Sequence, residues 1–435
     1  MITDLDLPVL AKAEVVVCGA GPAGVAAALA AARSGARVIL LEQTGCCGGM
    51  STAGLVPVFI HMSDRKNLVA AGICHEIISE MCRRMGQSKI NFIWQHIHPE
   101  ILKQVYDEKL SEAGVTTFFD VKVADTIMNG DTLNAVAVAT VQGLKKICGK
   151  VWVDATGDGI VAAAAGVPFE LGDAQGKTMS PTLCVQYSNI DLEAMREAEQ
   201  RGEGAIPLWK KHKQQIPLAE HHIIGISEYG NGSGSGNLGH IYDVNTLDEA
   251  ERSHCYTEGR RVANIIHDFY VKYVPGYEKS DLTATASLLG IRESRRILGE
   301  YQLTLSDYLE KRHFSDDIGC FYYGIDIHAS STNPEEQLNV GKRMDECNSS
   351  YEPGDNYGIP YRALIARKVR NLLVAGRCIS AERPVQASLR VMPCCMITGV
   401  AAGCAAALAK DDGEIRALSA ESLQREIRTT GAYLP

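Results

Sequence analysis

Long apolar runs are scarce in this 435-residue chain. The longest, GVAAALAAA and GVAAGCAAALA, are alanine-rich and far short of a membrane span, so none is expected. Excess basic charge is missing too: the formal net charge is −9, which argues against a nucleic-acid partner. The opening MITDLDLPVLAKAE shows no basic segment followed by an apolar one. No signal peptide is expected, and the sequence reads as cytoplasmic. No CxxC occurs, and no Cys/His cluster has zinc spacing. His221-His222 are adjacent but have no accompanying ligand set, so no metal site is expected. The 14 cysteines are scattered and read as reduced thiols. Two pairs, Cys46-Cys47 and Cys394-Cys395, are vicinal. A trans peptide holds such Cα atoms about 3.8 Å apart, below the usual disulfide range, so neither is expected to be bridged.

What the chain has is glycine, 41 residues of it, within a globular composition of 46% hydrophobic and 22% charged residues. Residues 14–42 read EVVVCGAGPAGVAAALAAARSGARVILLE. Val15-Val16-Val17 looks like a buried parallel strand. Gly19-Ala20-Gly21-Pro22-Ala23-Gly24 follows, then an alanine-rich helix to about Ser34 with Gly35 as its cap. A second strand, RVILLE, ends in Glu42. Gly19 permits the tight turn, Gly21 lets backbone approach a pyrophosphate, and Gly24 lets helix and strand pack closely. The helix N-terminus offers free N–H groups to phosphate. Glu42, 18 residues beyond Gly24, is placed to hold ribose hydroxyls. An acid there favours an unphosphorylated ribose, as in FAD or NAD. A plain NAD domain would soon continue into another helix, whereas here QTGCCGGMSTAGL follows.

That glycine pair after the acid, together with later segments, resembles the FAD-dependent oxidoreductases of the glutathione-reductase-like superfamily. More narrowly, the chain resembles a broad bacterial FAD-dependent oxidoreductase family distantly similar to fumarate reductase flavoproteins. The resemblance runs nearly the whole length, through HPEILKQVYDEKLSEAGVTTFFDVKV, VWVDATGDGIVAAAAGVPF, LLGIRESRRILGEYQLT, YGIDIH and GIPYRALIARKVRNLLVAGRCISAERPVQASLRVMPCCMITGVAAGCAAALA. It implies an α/β fold: a discontinuous Rossmann-like FAD-binding domain with a parallel central sheet and an inserted α+β substrate domain. The boundaries expected are 1–60, 96–170 and 360–435 for the FAD domain, with 61–95 and 171–359 as substrate or cap region. The cofactor-binding residues expected are Gly19, Gly21, Pro22, Ala23, Gly24, Glu42, Gln43, Gly48, Gly49, Met50, Val123, Ala155, Thr156, Gly157, Asp158, Gly376, Arg377, Arg390, Val391 and Met392. The residues agree on their own terms. KVWVDATGDG and VRNLLVAGR are strands running into small turns, and MPCCMITGVAAGCAAALAK is a small-residue helix. Such turns converge at the C-terminal edge of one parallel sheet.

No second dinucleotide fold is visible. The stretch YGNGSGSGNLGH (Tyr229 to His240) reads as a loop, and TLDEAERSHCYTEGRRVANIIHDFYVKY as one long amphipathic helix starting near Thr246 and Asp248. Arg292, Arg295 and Arg296 fall within five positions and cannot share one face. They either pair with Glu293 and Glu300 or present one guanidinium to an anionic group or to reduced flavin. His328 is the first candidate for proton transfer, followed by His240 and His61. Arg390 is expected in the active-site wall, with Arg377 and Glu382 as weaker candidates. The expected activity is hydride transfer between flavin N5 and a small polar substrate, by C–H oxidation or by reduction of an activated C=C. Two alternatives stand beside it: a flavin electron relay to a separate donor or acceptor, and a thiol centre at Cys46-Cys47. The oligomeric state is left open.

Overall fold

The computed structural model describes residues 7–220, 223, 225–348 and 351–435, apart from the Arg343 side chain. His221 and His222 lie outside the described residues. The chain begins its core with β1 (Val15–Cys18), α1 (Pro22–Arg33) and β2 (Val38–Leu41). It adds β3 (Thr116–Phe118) and β4 (Val151–Asp154). The long helix α2 (Glu249–Tyr273) follows, and near the C-terminus come β5 (Leu372–Val374) and α3 (Met392–Leu408). The five strands form one sheet in the order β5-β4-β1-β2-β3, every neighbouring pair parallel. β1, β2, β4 and β5 are buried at every position, which is why they read as unbroken apolar runs rather than alternating ones. Strands from both ends of the chain thus share one α/β sheet of Rossmann type.

α1 and α3 pack on this sheet through small residues. A Cβ on Gly399 would fall 2.1 Å from the Ala23 carbonyl oxygen, and one on Gly403 2.2 Å from that of Ala27. Only glycine lets the two backbones come this close. The proline at the start of each helix gives up an N–H that has no partner inside the helix.

A four-stranded antiparallel sheet lies elsewhere, ordered Ser227–Gly230, Ser233–Gly236, Val185–Ser188, Asp281–Thr285. With α2 it encloses its own apolar cluster, including Tyr187, Trp209, Phe269 and Tyr270. Asp248 caps α2, accepting from the Ala250 and Glu251 amides. The Tyr229–His240 stretch is therefore not a plain loop. Asn231 and Gly232, both at positive φ, make the turn of a hairpin, and Gly234 and Gly236 leave room for Ile226 and Leu238. The helix Ile73–Arg84 and much of residues 297–359 bury their side chains in the larger core around the parallel sheet, not in the smaller cluster. Among the described residues no single helix is long and apolar enough to cross a membrane.

Candidate active site

A cleft of about 420 Å³ runs along the C-terminal edge of the parallel sheet. Each strand delivers a turn to it. β1 runs into Gly19 at φ +92°, where a Cβ would strike the Ala155 carbonyl 2.7 Å away. β5 runs into Gly376 at φ +87°. A Cβ on Gly21 would meet no atom within 4 Å, so this backbone is bare toward open space. The first turns of α1 and α3 have no side-chain cap, which leaves N–H donors at the cleft wall. α3 starts there because the chain bends by 92° between Arg383–Leu389 and Met392–Leu408.

Of the residues expected to hold a cofactor, Gly19, Gly21, Pro22, Ala23, Glu42, Gln43, Gly49, Met50, Val123, Ala155, Thr156, Gly157, Asp158, Gly376, Arg377, Arg390, Val391 and Met392 line the cleft. Gly24 and Gly48 do not. Gly24 is wedged against Gly19, whose oxygen would sit 1.7 Å from a Cβ, and Gly48 at φ +105° packs on Thr52 and Tyr106. Both shape the wall from behind.

Glu42 is buried and ties down the glycine turn. Its carboxylate accepts from the Ala20 amide at 2.8 Å and from the Thr44 amide and hydroxyl at 2.9 and 2.8 Å. Burial pushes its pKa up, against those three bonds. A carboxylate has about four lone-pair sites, so capacity remains for a hydroxyl in the cleft. Asp158 is buried between Arg377 and Arg252, and the Ser294 hydroxyl donates to it at 2.8 Å. Burial would raise this carboxyl, but the two guanidinium groups outweigh it and hold it below the usual range.

At the other end of the cleft a line of polar groups meets the wall. Glu220 Oε1 lies 2.6 Å from His240 Nδ1, and His240 Nε2 lies 2.7 Å from His328 Nδ1. His328 Nε2 is 3.4 Å from Asp326 Oδ1, and Arg390 donates to Asp326 at 2.7 Å. His328 keeps a quarter of its side chain open, yet the enclosing walls push its pKa down to about 3, helped by the charge of Arg292. It is therefore neutral at pH 7. Burial opposes ionisation of Asp326, but the positive charges of Arg390 and Arg292 help keep the carboxyl well below its usual range.

His328, Arg292 and Arg390 line the cleft. His240 stands behind His328. Two other candidates are placed elsewhere. His61 lies outside the lining, stacked on Tyr322 and edge-on to Tyr323. Arg295 also misses the lining; it donates to the Asp158 carbonyl and covers the Phe169 ring, so its role is to brace the turn. Arg296 pairs with Glu293, while Glu300 is taken by Arg416. Glu382 accepts from the Leu305 amide, away from the cleft. Asp326, Tyr323 and Asn237 line the cleft although nothing in the sequence singled them out, and Glu220 supports it from behind. Tyr323 and Asp326 lie within the YGIDIH segment that ends in His328; Glu220 and Asn237 had no local signal.

A family model described as FAD dependent oxidoreductase matches residues 14–427. The chain belongs to that family. A search of curated proteins finds no match. Among solved structures, this flavoprotein is similar to a geranylgeranyl bacteriochlorophyll reductase-like protein from Thermoplasma acidophilum. That match has 11% identity, covers 96% of this chain and 83% of the other, and has a TM-score of 0.47. It is also similar to p-nitrophenol 4-monooxygenase from Pseudomonas putida DLL-E4, at 12% identity, 96% and 83% coverage, and TM-score 0.45. L-proline dehydrogenase from P. horikoshii matches at 12% identity, 94% and 95% coverage, and TM-score 0.43.

FAD is the cofactor of this family, and the cleft fits it. The bare backbone at Gly21 and the uncapped start of α1 suit a pyrophosphate, and Glu42 has acceptor capacity for a ribose. Among the described residues, the buried Nε groups of Arg377 and Arg390 have no hydrogen-bond partner. Glu42→Ala is expected to weaken FAD binding about 10- to 100-fold, the loss of charge-assisted hydrogen bonds. Flavin titration of the apoprotein measures it.

Proposed function

We propose that this FAD-dependent oxidoreductase exchanges a hydride with a small polar organic substrate, and that His328 exchanges the accompanying proton. When bound, FAD supplies the two-electron acceptor or donor for that exchange. The protein's own groups do the rest. His328, neutral and facing the cleft, takes a proton from a substrate hydroxyl or returns one to it. His240 and Glu220, in line behind it at 2.7 and 2.6 Å, fix its tautomer and share the incoming charge. Arg292, Arg390 and the Tyr323 phenol orient polar groups of the substrate. Burial pushes the Tyr323 pKa up, so it stays a neutral donor. The observation that carries this reading is the Glu220–His240–His328 line ending in the wall of the cleft. A separate electron donor or acceptor would close the catalytic cycle.

The test is anaerobic. Oxidised enzyme should be bleached by at least one compound from a panel of alcohols and polyols, or reduced enzyme should be reoxidised by a polar unsaturated compound. No response in either direction would reject the reading.

The thiol alternative finds little support in the geometry. Neither Cys46 nor Cys47 lines the cleft, both are free thiols, and Cys47 is fully buried. Burial pushes the Cys47 pKa far above its ordinary value, so the nucleophilic thiolate is suppressed. The double variant Cys46→Ser, Cys47→Ser is expected to keep substrate-driven flavin reduction within about twofold of wild type, because neither side chain reaches the cleft. Stopped-flow absorbance checks it.

A further inference from the structure

Arg292 is a buried cation without a carboxylate. Only 7% of it is exposed, and among the described residues no Asp or Glu oxygen lies within 4.0 Å of its guanidinium. Nη1 donates to the Ser180 carbonyl at 2.8 Å and the Thr182 hydroxyl at 2.9 Å, and Nη2 donates to Asn237 Oδ1 at 3.3 Å. A guanidinium carries about five N–H donors, so donors remain unused where Arg292 borders the cleft. Burying a charge without an adjacent counter-charge is unfavourable, and the attraction of the more distant Asp326 and Glu220 does not outweigh burial and the repulsion from Arg390. Arg390, also in the wall, adds a second cation whose Nε has no partner among the described residues. Asp326 serves Arg390 directly, and Glu220 is bonded to His240. Neither carboxylate therefore reaches Arg292, whose unused donors border the cleft.

We infer that the substrate carries a carboxylate, received by Arg292 in a forked, charge-assisted contact beside His328. This names the substrate class for the hydride exchange proposed above and rests on that reading. The planar fork of an arginine pairs with a carboxylate through two parallel hydrogen bonds, and one guanidinium without an adjacent carboxylate suits a singly charged anion. The Ser180, Thr182 and Asn237 contacts hold the guanidinium plane in place, so little side-chain freedom is lost when the anion arrives. The cleft thereby selects acids over their neutral counterparts, because an uncharged group would leave Arg292 buried and unmatched.

The experiment titrates FAD-loaded enzyme with propionate and with propionamide, following the perturbation of the flavin absorption spectrum. Propionate should bind saturably and at least 10-fold more tightly than propionamide, the scale of a charge-assisted pair. Arg292→Gln should weaken propionate at least 10-fold and leave propionamide unchanged. Arg292→Lys, which keeps the charge but not the fork, should fall between them and serves if the glutamine variant does not fold. Equal binding of acid and amide would overturn the proposal, as would a propionate affinity indifferent to both substitutions, or tighter binding of inorganic phosphate. A change confined to the flavin reduction potential, with propionate binding intact, would assign Arg292 to the reduced ring and overturn it too. The underlying reading fails separately. If a neutral alcohol bleaches the flavin and propionate does not bind, the carboxylate falls and hydride exchange stands. If propionate binds as described but no panel compound exchanges electrons with the flavin, the anion site stands and hydride exchange falls.

Discussion

His328→Gln is expected to slow substrate-driven flavin reduction by about 10²- to 10⁴-fold, the usual contribution of a positioned acid–base group. FAD content should be unchanged, because His328 takes no part in the hydrogen bonds that tie Glu42 to the glycine turn. Glutamine keeps a polar side chain opposite His240 but can neither take up nor release a proton. The pH dependence adds a second readout. An ordinary histidine, with a pKa near 6.5, loses its basic form as pH falls through that value. His328 has its pKa pushed down to about 3, so its neutral form persists on the acid side. The reduction rate of the wild-type enzyme should therefore hold steady from pH 7 to pH 5 instead of falling about tenfold or more. A rate that drops with an apparent pKa near 6.5 would place the working base elsewhere. Rapid-mixing absorbance at several pH values measures both effects.

The second large effect is structural. Gly399→Val should leave the protein unable to retain FAD and lower its unfolding midpoint, with a loss of about 3 kcal/mol or more, at the upper end for overpacked cores. The reason is the nature of the neighbour. The added Cβ would meet the Ala23 carbonyl oxygen at 2.1 Å, and this is backbone, not a side chain that can swing away. To relieve it, α3 must move from α1, and α1 carries Pro22 and Ala23 at the cleft. Packing and cofactor binding therefore fail together. Gly341→Ala is the control: it lies in the helix Pro334–Asn348, and a Cβ there meets nothing within 4 Å. That substitution should be neutral or slightly stabilising, by up to about 1 kcal/mol. Thermal unfolding and flavin-to-protein absorbance ratios separate the two outcomes.

The parallel sheet could be read from sequence because its signals are local. Val15-Val16-Val17 is apolar without alternation because both faces are covered, and Gly19, Gly21 and Gly24 are spaced by the geometry of one turn. Where side chains carry no pattern, the reading weakened. Gly234 and Gly236 look like loop residues, yet they are strand positions kept bare to admit Ile226 and Leu238. Asn231-Gly232 was the hairpin signal within that stretch. The polar end of the cleft was harder still. Glu220, His240, His328 and Arg390 are brought together across 170 residues of chain by two sheets and the bend before α3. No spacing rule links them, so Glu220 and Asn237 were invisible and Asp326 passed as a neighbour of His328. Arg292, Arg295 and Arg296 show the same limit. Sequence indicated that they must diverge, but only the fold shows that Arg292 reaches the cleft while the other two brace turns and ion pairs.

The proposed chemistry is one event, the movement of a hydride between a substrate carbon and the flavin beside His328. It is tested most directly by anaerobic reduction of the FAD-loaded enzyme with a bleaching substrate and with the same compound carrying deuterium at the reacting carbon. Hydride transfer should give slower bleaching with the deuterated compound, a two-electron loss of oxidised-flavin absorbance, and recovery of the oxidised organic product in equal amount. Bleaching at one rate for both compounds, with electrons arriving only through an added one-electron carrier, would contradict it and identify the chain as an electron relay.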